Sequence, residues 1–363
     1  MIWISSSPGE LRAAAFVDGV LTDYAISRPG HPDGVGDVYR GRVLARVPAM
    51  AGAFVALTEA EGFLPDSAGA AGLTQGDAVR VRITRAAQGG KGPRLARDGV
   101  CDPGPPALLV RGPGAPERLA TLHPGMPVRV DEPGLLAALR PALGDRVSLG
   151  PGFDDEIEAA LAELATPHAV LPGGMQTSFT PTPALVAIDV DAGTATQDRR
   201  AKPVAQMAAN RDALPALARH IRLRNLSGAI VVDLAGMKAN KRGALAPAFT
   251  DALAGDPLRP LFLGFSSLGL AEILRPRIHP PLHELLSGPH AAGLSALRQL
   301  VRDAAAEPAI AWAVRAPPDI CAALEQDTAA RTDLARRTGR PLVLRPDPSV
   351  PPGQTRLERI PRA

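Results

Sequence analysis

The stretch from Ala184 to Leu234 constrains the fold more than any other, because it reads as strand, long helix, strand, with each strand ending on aspartate. The first apolar run, Ala184 to Ile188, leads into Asp189 and then Asp191; the second, Ala229 to Val232, leads into Asp233. Continuous apolar runs predict strands buried on both faces, as in an α/β layer. Carboxylates at the carboxyl ends of neighbouring strands lie where open α/β sheets bind ligands. Converging carboxylates repel each other unless a cation lies between them, and magnesium suits such oxygen donors. Strand-terminal aspartates also cap helices and make turns, so the pattern alone leaves both readings open.

The remainder of the chain sets the surroundings of that stretch. With 363 residues, it is long enough for two or three domains with cores of their own. It has no apolar run long enough to span a bilayer, and Met1-Ile-Trp-Ile-Ser lacks the basic and apolar regions of a signal peptide. Two distant cysteines, Cys101 and Cys321, form neither a disulfide framework nor a zinc-ligand pair. A cytoplasmic protein that does not enter the membrane is expected. Net charge is +3, and only four of the 40 basic residues are lysine. Arginine suits phosphate and base stacking, but a GC-rich genome writes arginine everywhere, so charge decides little.

Taken in order, residues 1–35 hold a strand at Trp3-Ile4 and a hairpin around Asp18-Gly19. Residues 36–97 read as five short strands with Gly-rich turns, an OB-type barrel whose exposed face binds single strands. Its candidate contacts are Tyr39, Phe54, Phe63 and Lys91, with Arg80, Arg82 and Arg94 nearby; the two phenylalanines could instead fill the barrel core, but with only 12 aromatics in the chain their positions favour contact. Residues 98–127 are rich in proline and glycine, the composition of a linker unable to bury a core. Residues 128–168 read as a strand (128–130) and two helices (134–143 and 154–164), with Asp154, Asp155 and Glu156 capping the second. Residues 169–286 form the aspartate layer, with a long helix that Pro215 should kink or break. A third strand, 261–265, should lead into a helix over 269–274. Arg222, Arg224, Lys238, Lys241 and Arg242 follow or flank the aspartate strands, placed either to hold phosphates of a ligand or simply as a solvated basic surface. Residues 287–363 read as a small strand-and-helix domain.

Several stretches resemble the bacterial ribonuclease E/G family. They are Leu185-Val-Ala-Ile-Asp-Val-Asp-Ala-Gly-Thr-Ala-Thr196, Asn210, Arg219 to Gly228, Ala229 to Met237 and Ser266 to Arg277. Gly36 to Leu44, Gly52 to Val55, Gly62 to Pro65 and Gly89 to Gly92 resemble that family's RNA-binding barrel. The resemblance implies an α/β and α+β multidomain fold. In it, a ribonuclease-H-like subdomain (1–35 with 128–168) is interrupted by an OB-fold barrel (36–97). A DNase-I-like catalytic domain (169–286) and a small α/β C-terminal domain (287–363) follow. By position, Asp189 and Asp233 match the aspartates that hold the family's catalytic Mg2+, for which Mn2+ can substitute. Phe54, Phe63 and Lys91 match RNA contacts. Asp191 falls where the family usually has asparagine, Gly236 where many members have an acid, and Ser267 where arginine is common. The segment 98–127 is too short for the family's 5′-sensor subdomain. Ser287 to Gly293 lacks the family's zinc-link cysteines, so neither zinc nor a zinc-linked dimer is expected, and the oligomeric state is open.

The implied activity is magnesium-dependent endonucleolytic cleavage of single-stranded RNA, in rRNA or mRNA processing or decay, leaving 5′-phosphate and 3′-hydroxyl ends. The alternative is a catalytically impaired RNA-binding paralogue, motivated by Asp191, Gly236 and Ser267. A phosphohydrolase of small nucleotides would fit the aspartates but leave the barrel without a use.

Overall fold

The computed structural model describes residues 1–193 and 202–360. Thr194 to Thr196, the end of the first resembling stretch, lie outside the described residues.

The chain opens with β1 (Ile2–Ser7), β2 (Glu10–Val17) and β3 (Val20–Ser27), an antiparallel meander. Asp18 and Gly19 both take positive φ, 49° and 75°, as a two-residue hairpin turn that follows strand twist requires. The barrel follows as β4 (Val38–Val47), β5 (Gly52–Ala56), β6 (Glu61–Pro65), β7 (Ala78–Arg85) and β8 (Arg94–Arg97). It closes because β4 pairs with both β5 and β7. Alternation sends Val43, Val55, Leu64, Val81 and Leu95 inward to fill it.

The Pro/Gly-rich segment departs from the linker expectation. It contains β9 (Ala107–Val110), which pairs with the start of β4, and α1 (Ala115–Leu122). Helix α1 buries Ala115, Leu119 and Ala120 against Ile2, Ile4, Val128 and Val130. Prolines cluster outside these elements or at the first helical turn, where they cost no hydrogen bond, so composition hid a short buried helix.

Next come β10 (Val128–Val130), α2 (Pro133–Leu143), β11 (Val147–Leu149) and α3 (Asp155–Ala165). Strands β10 and β11 add in parallel to β1, giving one sheet ordered β11-β10-β1-β2-β3 across the barrel insertion. The Asp154 side chain accepts from Ile157 N–H at 2.8 Å, the expected cap of α3.

The aspartate layer comprises β12 (His168–Leu171), β13 (Met175–Pro181), β14 (Val186–Asp191), α4 (Lys202–Leu223) and β15 (Gly228–Asp233). A short α5 (Ala239–Arg242), α6 (Ala246–Leu253), β16 (Leu261–Phe265) and β17 (Ala271–Arg275) complete it. The sheet runs β12-β13-β14-β15-β17-β16, and α4 and α6 cover one face. Val186, Ile188, Val190, Ile230 and Val232 pack beneath Leu214, Leu217, Ile221 and Phe249.

Three expectations about this layer are corrected. Strands β14 and β15 are buried on one face only; their alternate residues Ala187, Asp189, Asp191, Val231 and Asp233 are half-buried or exposed. Pro215 does not break α4, which runs unbroken for 22 residues. The proline is exposed, so the carbonyl it deprives, that of Arg211, faces the solvent side. The segment 269–274 is not a helix: Ala271, Ile273 and Arg275 are buried while Glu272 and Leu274 are less so, a period of two. It forms β17, antiparallel to both β15 and β16.

After α7 (Leu282–Leu285), the C-terminal domain builds α8 (Gly288–Ala306), β18 (Ala311–Ala316), α9 (Pro318–Gln326), α10 (Thr328–Thr338), β19 (Val343–Pro346) and β20 (Arg356–Ile360). Its three strands, ordered β19-β18-β20, pack on the helices through Leu297, Val314, Ile320 and Leu324. Among the described residues no helix is long and apolar enough to cross a membrane.

Candidate active site

Strands β14 and β15 are parallel and in register, Ile188 against Val232 and Asp189 against Asp233. Register partners share a face, and neighbouring strands lie about 4.8 Å apart, so the two carboxylates emerge side by side. Asp191, two residues along β14, rises on the same face. All three are exposed. The site therefore sits on the open face of the sheet, at the carboxyl ends of the two strands.

The neighbouring strands furnish that face. On β13, Ser178 pairs with Asp189 and Gln176 with Asp191. On the other side Glu272 of β17 pairs with Val231, which places it one pleat from Asp233 on the same face. Glu272 was concealed by the helical reading of its segment, although its period-two pattern was a usable signal.

Buried groups hold the ends of these strands. Thr177 donates to the Asp189 carbonyl at 2.8 Å. Asn210 on α4, 1% exposed, donates from Nδ2 to the carbonyls of Gln206 and Ala235, tying the helix to the turn after Asp233. Gly236 in that turn has φ 64°, a conformation that strains a residue with a side chain, and a Cβ there would lie 2.4 Å from Gln206 Nε2, so that a side chain at this position requires Gln206 to move.

Arg242 is a positioning group rather than a free phosphate contact. It is buried and donates to the carbonyls of Leu234, Met237 and Gly269 and, at 2.7 Å, to Asp233 Oδ1. That bond fixes the Asp233 carboxylate and leaves Oδ2 free of it. Lys238 and Lys241, on the same short segment, are exposed.

Arg222 and Arg224, expected to face RNA, do not. Arg222 forks onto Asp23 of β3, Nε to Oδ1 and Nη2 to Oδ2, both at 2.6 Å. Arg224 is 5% exposed; it donates to the carbonyls of Leu164, Glu163 and His168 and stacks on Phe179, 4.4 Å from the ring centre. Both fasten α4 to the preceding elements, a use that charge and position in the sequence do not separate from phosphate binding.

On the barrel, Phe54 and Phe63 are register partners on β5 and β6. Their rings meet edge to face, centroids 5.5 Å apart, and both are half-exposed while their neighbours Ala53, Val55 and Leu64 fill the core. Gly52 makes room for this: a Cβ there would lie 2.4 Å from Phe63 Cζ. Exposed Arg94 pairs with Phe63 in register. Tyr39 is placed otherwise: it packs against the barrel interior, its hydroxyl 3.4 Å from Asp37 Oδ2. Burial and the Asp37 charge raise its pKa. Arg80 and Arg82 are paired with Asp98.

Lys91 stands exposed on a turn in which Gln88 and Lys91 exchange backbone hydrogen bonds. It lines a cleft of about 910 Å³, shared with Arg85, Arg259, Arg277, Val186 and Gly228. The cleft thus joins the barrel to the amino-terminal ends of β14 and β15. At about 3.3 Å per residue, Asp233 lies roughly 17 Å along the strand from Gly228.

A family model described as the ribonuclease E/G family matches residues 147–278. Among curated relatives, ribonuclease E of Nostoc sp. (strain PCC 7120) is 35% identical over 130 residues, covering 36% of this chain and 19% of that protein. Ribonuclease E of Synechocystis sp. (strain PCC 6803) is 32% identical over 134 residues, covering 37% and 20%. Ribonuclease G of Haemophilus influenzae is 29% identical over 152 residues, covering 40% and 31%. The match spans less than a third of each of these three relatives. The family match contains Asp189, Asp191, Asp233, Asn210 and Glu272 but stops short of the barrel. Residues 147–278, which include the sheet that carries the Asp189–Asp233 pair, are thus the part of this chain that is similar to the ribonuclease E/G family.

Proposed function

We propose that the chain is a magnesium-dependent endoribonuclease acting on single-stranded RNA. The in-register pairing of Asp189 with Asp233 is the observation that carries this reading. The donors on the open face are carboxylate oxygens, hard ligands that fit Mg2+ or Mn2+. Asp189 and Asp233 would hold the ion, with Asp191 and Glu272 placed to orient its waters. A bound magnesium ion supplies Lewis acidity at the scissile phosphate and a water of lowered pKa.

The other groups bind and position. Arg242 keeps one oxygen of Asp233 directed away and presents the other. Exposed Lys238 and Lys241 can neutralise phosphates beside the aspartates. The Phe54–Phe63 pair offers a stacking platform for unpaired bases, and Lys91, at the mouth of the cleft, leads the strand from the barrel toward the sheet. We read the β1–β3, β10 and β11 sheet as the ribonuclease-H-like subdomain and the aspartate layer as the DNase-I-like one. A cytoplasmic role in rRNA or mRNA processing or decay, with 5′-phosphate and 3′-hydroxyl products, belongs to this proposal.

One observation favours the rival, an RNA-binding paralogue without cleavage: the Arg242 guanidinium sits on a proposed metal ligand and competes with a cation for it. Incubation of a labelled, unstructured RNA with Mg2+, with EDTA, and with the Asp233→Asn variant separates the two. Loss of cleavage by about 100-fold or more in both controls establishes the enzyme. Intact RNA throughout, with tight salt-sensitive binding, establishes the paralogue.

A further inference from the structure

Far along the chain from the aspartate pair, two imidazoles and a carboxylate from three separate segments meet at one point. His31 lies in the connection between β3 and the barrel, His290 in the first turn of α8, and Asp327 at the N-cap of α10. One donor atom from each lies within 4.8 Å of the other two. Asp327 Oδ2 is 2.9 Å from His290 Nε2 and 3.7 Å from His31 Nε2. Zinc–nitrogen bonds of about 2.0–2.1 Å put neighbouring ligands of a tetrahedral ion about 3.3 Å apart, between these two separations.

The carboxylate is built into the fold. Its side chain is 2% exposed, and Oδ1 accepts the Ala330 N–H at 2.9 Å, which orients the group and leaves Oδ2 to the imidazoles. Backbone approaches it closely at Gly9, φ 77°, where a Cβ would lie 3.3 Å from Oδ2 and 2.8 Å from Ala330 Cβ. A simple ion pair needs one imidazole; two facing the same oxygen repel each other when both are protonated. A divalent cation bound by both neutral rings and the carboxylate satisfies all three. His31, 54% exposed, is free to complete the set and leaves a side open to water.

We infer that His31, His290 and Asp327 form a site for one zinc-class divalent ion, with water as the fourth ligand. Imidazole nitrogens select such an ion over magnesium, so the site is chemically distinct from the proposed catalytic one. Its effect is mechanical: it clamps the segment that enters the barrel to the helices of the C-terminal domain.

The test uses the full chain without an affinity tag, stripped with EDTA and titrated with Zn2+ by calorimetry and with Co2+ by visible absorption. One equivalent of Zn2+ is expected, with an intense tetrahedral Co2+ spectrum, both retained in the Asp233→Asn variant. His31→Ala and His290→Ala should each weaken binding by at least about tenfold, and Zn2+ should raise the unfolding temperature of the parent protein but not of His290→Ala. His31 is exposed, so its variant folds. Absence of binding, or an equivalent that survives both histidine substitutions, overturns the inference.

Discussion

Arg224 shows how a single side chain can be misread from charge. Its guanidinium is spent on carbonyls at the end of α3 and the start of β12, so removing it strands those acceptors. Arg224→Ala should destabilise the chain by about 3 kcal/mol in chemical denaturation while the folded fraction keeps its RNA affinity; the reverse pattern would restore the phosphate role. Its neighbour His220 carries a pH signature. Burial, reinforced by the Arg224 and Arg219 charges, pushes its pKa from 6.5 down to about 4. Between those values the unfolded chain binds a proton that the folded chain refuses, so stability falls as pH drops from about 6.5 to about 4. At about 1.4 kcal/mol per pKa unit the loss approaches 3 kcal/mol. His220→Leu should flatten that acid limb in denaturation curves measured across the window.

At the scale of elements, the periods of burial decided what formed. Helix α4 tolerates Pro215 because its core stripe, Ala213, Leu214, Leu217 and Ile221, lies on the opposite side. Pro215→Ala should therefore stabilise the chain by about 2 kcal/mol, the restored helical hydrogen bond outweighing the greater freedom of the unfolded chain; thermal unfolding measures it. On the barrel, alternation along β5 and β6 sets Phe54 and Phe63 outside the core. Phe54→Ala and Phe63→Ala should each weaken single-stranded RNA binding by about 1–3 kcal/mol with little change in stability. Because the rings touch, the double variant should lose less than the sum. A large loss of stability instead would return both residues to a packing role.

For the whole molecule, partly buried ion pairs join parts that are distant in sequence. Arg222 of α4 grips Asp23 of β3, Glu158 of α3 grips Arg12 of β2, and Glu10 of β2 grips Arg298 of α8. Arginines that composition would assign to nucleic acid thus hold the molecule together. The segment 98–127 is occupied by β9 and α1 in structural duty. On the proposed activity, cleavage should therefore be largely indifferent to the 5′ end, with similar rates on 5′-monophosphorylated and 5′-hydroxyl RNA. A marked preference for the monophosphate would show end recognition elsewhere in the chain.

What the sequence determined by itself was local: the Asp18-Gly19 hairpin, the barrel strands, the Asp154 cap and the two strands that end on aspartate all follow from short-range pattern. Resemblance across the 185–277 region pointed to the ribonuclease E/G family as well, and the family-model match over 147–278 contains that region. Tertiary structure decided which residues share a face and which charges are free. The Asp189–Asp233 pairing depends on the register of two strands separated by a long helix. Glu272 joins their face through the antiparallel pairing of β17 with β15, a contact across some forty residues, and His31, His290 and Asp327 meet from opposite ends of the chain. Periodicity reports one element's buried side, whereas register, ion pairing and ligand convergence arise only when separate elements pack together.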